Sequence, residues 1–360
     1  MMWPYWVMVG TPALLSLLGD AFFNKKTRNR MVVISFFAIW FLLLCLRSER
    51  VGIDTINYHR MFIEASHMSF GEIFSRLLDS QFEAGYYVIS KAISVFTSDY
   101  RVVMIVVAGV SLFPIFWLYM KYADESPYLS IILLLSLGMF SIYFSAFRQV
   151  LAIAFAVPAF QFTKNRKLIK FLLIVLLAYV THHSAFVLLL LYPIYHMELK
   201  LNAHVFFIVP IIGLVYVFRT QVFTALNNFL GDVYSGVIKE TGAILIFLLL
   251  LSLLIFSFVL PENDMMDKEN IGLRNLLFLS TILQIFAGIN SVAMRLNYYY
   301  LIFIPLLIPR VINNVSEKNR KPAYFSYLIM VGFFTFWYFY RAYTTADILR
   351  VYPYYPMWSI

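Results

Sequence analysis

Two adjacent histidines, His182 and His183, stand in an otherwise apolar run that extends from Phe171 to Tyr192. Imidazole is the side chain whose ordinary pKa lies closest to neutrality, so a sheltered histidine that a hydroxyl can reach is suited to taking its proton. Such a base works best beside groups that steady developing negative charge. The guanidinium of arginine does this well, because it stays protonated and grips phosphate or carboxylate through two parallel hydrogen bonds. Four arginines stand where apolar segments end or begin: Arg47 and Arg50 in Arg47-Ser-Glu-Arg-Val-Gly-Ile-Asp-Thr-Ile-Asn-Tyr58, Arg148 in Ser145-Ala-Phe-Arg-Gln-Val150, and Arg295 in Ser291-Val-Ala-Met-Arg-Leu-Asn-Tyr-Tyr-Tyr300. A bare guanidinium facing lipid costs a few kcal/mol or more, so Arg148, between two spans with almost no loop, must be paired or solvated in a cavity. The plainer alternatives are polar contacts between helices for the histidines and snorkelling to headgroups for the arginines.

Carboxylates accompany these groups. Asp54 and Thr55 are placed to cap the helix that follows the turn at Gly52, or Asp54 orients an arginine and binds hydroxyls. Glu83, in Phe82-Glu-Ala-Gly-Tyr-Tyr87, reads either as a helix cap or as a carboxylate facing the cavity of His182; Asp54 and Glu83 are the alternative bases. Tyr298 to Tyr300 and the C-terminal Val351-Tyr-Pro-Tyr-Tyr-Pro-Met-Trp358 offer flat rings for a membrane interface or for stacking on a ligand. There is no HExxH, paired-carboxylate metal site, phosphate-cradling glycine loop or nucleophile elbow, so neither a metal nor another cofactor is expected. The lone Cys45 excludes an internal disulfide and a cysteine metal cluster.

The elements that must position these groups are membrane helices. Of 360 residues, 62% are hydrophobic and 13% charged, more apolar surface than a soluble domain of this length can bury. Runs such as 171–192 and 243–260 are long enough at 1.5 Å per residue to cross a hydrocarbon core of roughly 30 Å, and they lack the alternation of a barrel strand. The expected architecture is an all-α, polytopic membrane protein, a single integral membrane domain over 1–360. About ten crossings are predicted, at 2–19, 31–46, 102–119, 127–144, 148–162, 204–218, 241–260, 274–290, 297–313 and 323–340, and the first is a retained span, not a cleaved signal. The net charge of +9 reflects loop topology, not nucleic-acid binding.

Three basic stretches, 24–30, 163–170 and 316–321, belong inside by the excess of Lys and Arg in cytoplasmic loops, which puts both termini outside. A long segment, 47–101, and a second, 219–240, are then extracytoplasmic. The first carries an amphipathic piece, with Phe70, Ile73, Phe74, Leu77 and Leu78 on one face and Glu72, Arg76 and Asp79 on the other, expected to lie along the membrane surface. By the same parity 171–192 enters and leaves through one face, as two half-helices that turn at Thr181 to Ser184; such backbone is tolerated at depth where protein shields it or where it lines a wet cavity. Outside, arginines outnumber lysines ten to two; inside, lysines outnumber arginines ten to six, together the 28 of the chain. The outer face is thus equipped for an anion.

In order and spacing these motifs resemble the EpsG family, which is grouped with the Wzy-type polymerases of bacterial surface polysaccharides such as O-antigen, capsule and exopolysaccharide. The matching elements are Arg47, Arg50, Gly52, Asp54, Thr55 and Tyr58; Glu83, Gly85 and Tyr86; Arg148 and Gln149; His182, Ser184 and Ala185; and Arg295 with Tyr298, across roughly residues 30–310. His183 falls at the variable position of the family's His-x-Ser-Ala, so the resemblance favours His182. It implies a glycosyltransferase-C-like helical fold in the bacterial cytoplasmic membrane. It also implies metal-independent transfer, at the outer leaflet, of a growing glycan from undecaprenyl diphosphate to a hydroxyl of the next lipid-linked repeat unit. His182 would be the base and Arg148 the group that steadies the leaving diphosphate, with Asp54 the third catalytic residue. Arg47, Arg50, Tyr58, Glu83, Tyr86, Gln149, His183, Arg295 and Tyr298 would bind the substrate. A chain-length regulator and a flippase are the partners that such a role implies. A flippase of lipid-linked oligosaccharides, an O-antigen ligase and a membrane acyltransferase are the competing readings.

Overall fold

The computed structural model describes residues 1–77, 82–123, 125–197, 210–229, 243–261, 266–344 and 347–359. It is 80% helical, and among the described residues there is no strand, only an isolated bridge between Arg47 and Pro356. The protein is an all-α polytopic membrane protein. Four described helices are long and apolar enough to cross a membrane: Lys25–Cys45, Tyr100–Tyr122, Lys268–Ala287 and Glu317–Thr344, or six when two bent pairs each count as one span. The remaining expected crossings are shorter or interrupted. Residues 127–144 bend by 57° between Pro127–Ser136 and Met139–Ser145, and 297–313 belong to a pair bent by 45°. The crossing expected at 148–162 divides into Phe147–Ala154 and Ala156–Lys164. Hydropathy integrates over a window and does not register where the helical hydrogen-bond ladder breaks, so continuous apolar runs conceal such breaks. Parts of the calls at 204–218, 219–240 and 241–260, of the inner loop 193–203, and Leu78 and Asp79 lie outside the described residues.

The chain divides into two compact units, Met1–Phe186 with Met330–Ile360, and Val187–Ile329. In the first, α1 (Trp3–Leu18) packs on α2 (Lys25–Cys45), and α2 on α6 (Tyr100–Tyr122). Between α2 and α6 lie α3 (Thr55–His67), α4 (Phe70–Ser75) and α5 (Ala84–Ser94). Then follow α7 (Pro127–Ser136), α8 (Met139–Ser145), α9 (Phe147–Ala154), α10 (Ala156–Lys164) and α11 (Leu168–Thr181). On α3, Thr55, Tyr58, Phe62 and Ala65 are buried while Ile56, Arg60 and Ile63 are exposed, the helical period of a half-buried helix. Tyr58 and Phe62 join Tyr86, Ile93, Tyr100, Val103 and Phe147 in one core, each large apolar side chain stabilising it by about 1.5–3 kcal/mol.

The amphipathic piece is a six-residue helix, α4, closed by a capping box between Ser69 and Glu72, and it ends at Ser75. Only part of its expected apolar face remains exposed: Phe70 and Phe74 do, whereas Ile73 is buried with Ala65, Phe82 and Tyr87.

The C-terminal segment, expected at a membrane interface or stacked on a ligand, is woven into the unit. Ser48 N–H donates to the Tyr355 carbonyl (2.8 Å), Gly52 N–H to that of Arg350 (2.9 Å), Ile53 N–H to that of Leu349 (3.0 Å) and Met357 N–H to that of Leu46 (2.7 Å). Val351 and Tyr354 are buried, while Trp358 is exposed. These bonds satisfy an irregular loop just beyond α2 that has no ladder of its own.

In the second unit Lys268–Ala287 packs against Ala243–Val259 and Ser291–Leu301. Ser280 donates to Asn297 Oδ1 (2.6 Å) and Asn297 Nδ2 to Gln284 Oε1 (2.9 Å), a buried polar contact of the kind that ties apolar helices together. Arg310 pairs with Glu269 at 2.6 Å.

Candidate functional site

Glu83 is the hub of the first unit's polar cluster. It occupies the N-cap position of α5 and yet makes no side-chain cap bond. Its carboxylate reaches instead to two other helices: Oε1 is 2.6 Å from His182 Nδ1 and accepts the backbone N–H of His183 at 3.0 Å, and Oε2 is 3.0 Å from an Arg148 guanidinium nitrogen. The capping alternative is not what the structure shows. His183 Nδ1 lies farther from the same oxygen, at 3.7 Å.

Local structure explains how the histidine comes to face the acid. The helical ladder of α11 ends at Thr181, His182 is extended (φ −158°, ψ 121°), and a 3₁₀ stretch starts at His183. The break falls within the stretch expected to separate two half-helices. It turns the His182 ring out of the helical register toward α5. The close approach of α5 and α11 depends on Gly85, where a Cβ would stand 2.7 Å from the Thr181 side chain and 2.9 Å from its Cα. Two residues before that glycine, Glu83 is carried to within bonding distance of His182.

Arg148 is the second residue of α9, a position where a cation opposes the helix dipole and needs compensation. Glu83 supplies it. Tyr58 supports Arg148 from α3: the Arg148 N–H lies 3.4 Å from its hydroxyl and the guanidinium carbon 6.0 Å from its ring centroid. Tyr58 in turn stacks on Phe147 (4.7 Å, 11°), and its carbonyl accepts from the Tyr86 hydroxyl at 2.8 Å. Gln149 is buried beside Arg148.

Burial pushes the Glu83 carboxyl up, but the His182 hydrogen bond and charge, the Arg148 charge and the His183 N–H outweigh it and hold it at about 2, so it is an anion at neutral pH. Because Oε1 already accepts the His183 N–H, an ionised carboxylate there requires His182 to donate through Nδ1–H. In the neutral ring that arrangement leaves the lone pair on Nε2, a buried atom without a hydrogen-bond partner among the described residues. A half-buried imidazole held at one nitrogen by a carboxylate, with the other free to accept a proton, next to a guanidinium: this arrangement can deprotonate a hydroxyl and hold an anion.

The family model for the EpsG family matches residues 29–355. The chain belongs to the EpsG family. The family comprises Wzy-type polysaccharide polymerase-like proteins, so a role of that general kind in polysaccharide biosynthesis follows for this member. No curated protein and no solved structure matches this EpsG-family chain.

Of the residues that sequence singled out, the structure of this EpsG-family protein brings Glu83, His182, His183, Arg148, Tyr58 and Tyr86 together. Arg47 has different surroundings from those expected of a substrate ligand. It is 2% exposed, with the rings of Phe144 and Phe147 5.1 and 5.2 Å from its guanidinium, and it donates to the Phe144 carbonyl at the C-terminal end of α8. A cation there answers the negative end of the helix dipole. Burial lowers its pKa to about 10, and it remains charged at neutral pH. Arg50 is exposed. Asp54 precedes α3 without a side-chain cap bond, contrary to the capping expectation, and the Thr55 hydroxyl bonds back to the Val51 carbonyl at 2.9 Å. Arg295 and Tyr298 lie in the helix Ser291–Leu301 of the second unit.

A further acid–histidine pair went unread in the sequence. Glu49 Oε2 lies 3.0 Å from His59 Nδ1, and the His59 ring stacks on Tyr100 at 4.4 Å. The two residues are ten apart across a turn, a spacing with no periodic signature. Among the described residues no three His, Cys, Asp or Glu side chains gather in a way that could hold a metal ion.

Proposed function

We propose that this protein polymerises a lipid-linked glycan, transferring the growing chain from undecaprenyl diphosphate to a hydroxyl of the next lipid-linked repeat unit at the extracytoplasmic face of the bacterial cytoplasmic membrane. The observation that carries the reading is the shared carboxylate, which puts an oriented imidazole and a guanidinium on the two oxygens of Glu83 in a family of polymerase-like proteins.

The acceptor hydroxyl gives its proton to His182 Nε2 while its oxygen bonds to the anomeric carbon. The bond from that carbon to the diphosphate oxygen breaks, and the electron pair leaves with the lipid diphosphate. Arg148 steadies the charge that develops on it, which is the largest task in such a transfer. Tyr58 and Tyr86 support Arg148, Asp54 keeps the catalytic role and Arg50 and Gln149 the substrate-binding roles that the family pattern implies. A chain-length regulator and a flippase are the proposed partners. The extracytoplasmic assignment draws on helix direction: α2 and α11 both run from basic stretches, 24–30 and 163–170, toward the end that holds the cluster.

Cells deleted for the gene and supplied with His182→Ala or Arg148→Ala test the reading through polymer chain length. Each variant is expected to leave single repeat units on lipid, with polymer lowered about 10²-fold or more. Full-length polymer at normal abundance from both would overturn it, and polymer made but left unattached would point to a ligase.

A further inference from the structure

Glu83 was read from the sequence as a substrate ligand or an alternative base, and neither role fits its surroundings. Its side chain is 9% exposed, and both oxygens are occupied: Oε1 by His182 and the His183 N–H, Oε2 by Arg148. A carboxylate already engaged by three donors from two other helices is a poor proton acceptor and has little access to a sugar. It has given up the capping bond of its own helix to reach them.

We infer that Glu83 is a positioning residue, which fixes His182 as the Nδ1–H tautomer with Nε2 turned to the acceptor hydroxyl and at the same time holds the Arg148 guanidinium where the diphosphate leaves. This rests on the reading of His182 as the base. Position and charge are both required. A glutamine has a single acceptor oxygen, and its amide NH₂ meets either the His182 Nδ1–H or the Arg148 guanidinium donor to donor, so only one partner stays held. An aspartate keeps the charge and both acceptors but is shorter by one methylene. Holding the reacting groups in place is a contribution to the transition state, so the loss belongs in kcat and not in substrate affinity.

The experiment uses the full-length protein in proteoliposomes with lipid-linked repeat units extracted from the deleted strain, at varied concentration. Glu83→Gln is expected to lower kcat about 10²-fold with KM changed by less than about twofold, and Glu83→Asp to lower it only about 10-fold, also at unchanged KM. A parental kcat for Glu83→Gln, a loss carried by KM, or an aspartate no better than the glutamine would each overturn the inference. If Glu83→Gln does not accumulate as a monodisperse protein, Glu83→Asp decides alone: a kcat lowered about 10-fold at unchanged KM supports positioning, and parental kcat overturns it. His182→Ala, assayed alongside, separates the two claims. An active His182→Ala sinks the base reading itself, whereas an inactive one beside a fully active Glu83→Gln sinks only the role of Glu83.

Discussion

The charge on Glu83 ties catalysis to stability at the scale of the single residue. Its carboxyl is held from an ordinary 4.5 down to about 2 against the opposing effect of burial. A carboxyl whose folded pKa lies below its unfolded value stabilises the fold at pH above that unfolded value, and the contribution fades as pH falls toward the folded one. Here the window runs from about 4.5 down to about 2, and the contribution is on the order of 3 kcal/mol. Thermal unfolding of the detergent-solubilised protein is therefore expected to drop in midpoint as pH falls from about 4.5 toward about 2. In Glu83→Gln that drop should be smaller; an identical acid profile for both proteins would remove Glu83 as a source of it. Arg47 illustrates the opposite case. Its charge is buried among aromatic rings and a carbonyl, which suits a structural cation better than a ligand for an arriving diphosphate.

Among elements, the decisive relation is the approach of α5 to α11. Gly85 allows it, because the nearest Thr181 atoms would leave no room for a Cβ. Gly85→Ala is expected to separate the two helices by a fraction of an ångström to about 1 Å, and a displacement of that size at a reacting group lowers turnover up to about 10²-fold. Thermal stability should fall far less, by about 1–3 kcal/mol, the usual cost of overpacking. Turnover in proteoliposomes together with a melting curve checks this; parental turnover would mean that the helix approach does not set the geometry of the site. Gly52 has a comparable duty at the exit of α2, where φ is +94° and a Cβ would lie 1.9 Å from the Phe144 carbonyl oxygen. Only glycine takes that backbone without strain, and the same loop receives the C-terminal segment.

For the molecule, the prediction concerns sidedness. The ends of α2 and α11, the start of α6 and the junction of α8 with α9 meet at the cluster, whereas Gln161 and Lys164 contact Tyr122 at the other end of α6. Single cysteines placed in a Cys45→Ser background at Thr97, beside the start of α6, and at Asn165, after α10, report on the two ends. An impermeant thiol reagent is expected to label position 97 in intact spheroplasts and position 165 only after permeabilisation. The reverse pattern would turn the site toward the cytoplasm and favour the acyltransferase chemistry over glycan transfer.

By itself the sequence determined the class of the protein and most members of the cluster. Composition dictates that such a chain lies in a membrane, and short motifs at helix ends mark Arg148, Glu83 and His182. Each of these is a local property that survives without knowing what a residue touches. Tertiary structure decided the pairings: that Glu83 meets a histidine 99 positions away in place of capping its own helix, that Arg47 turns inward to a helix end, and that the C-terminal segment fastens the loop beyond α2. An N-cap carboxylate and a cavity carboxylate look the same along the chain. What separates them is how closely another helix can approach, and that is set by a glycine, a helix break and the packing of several helices at once.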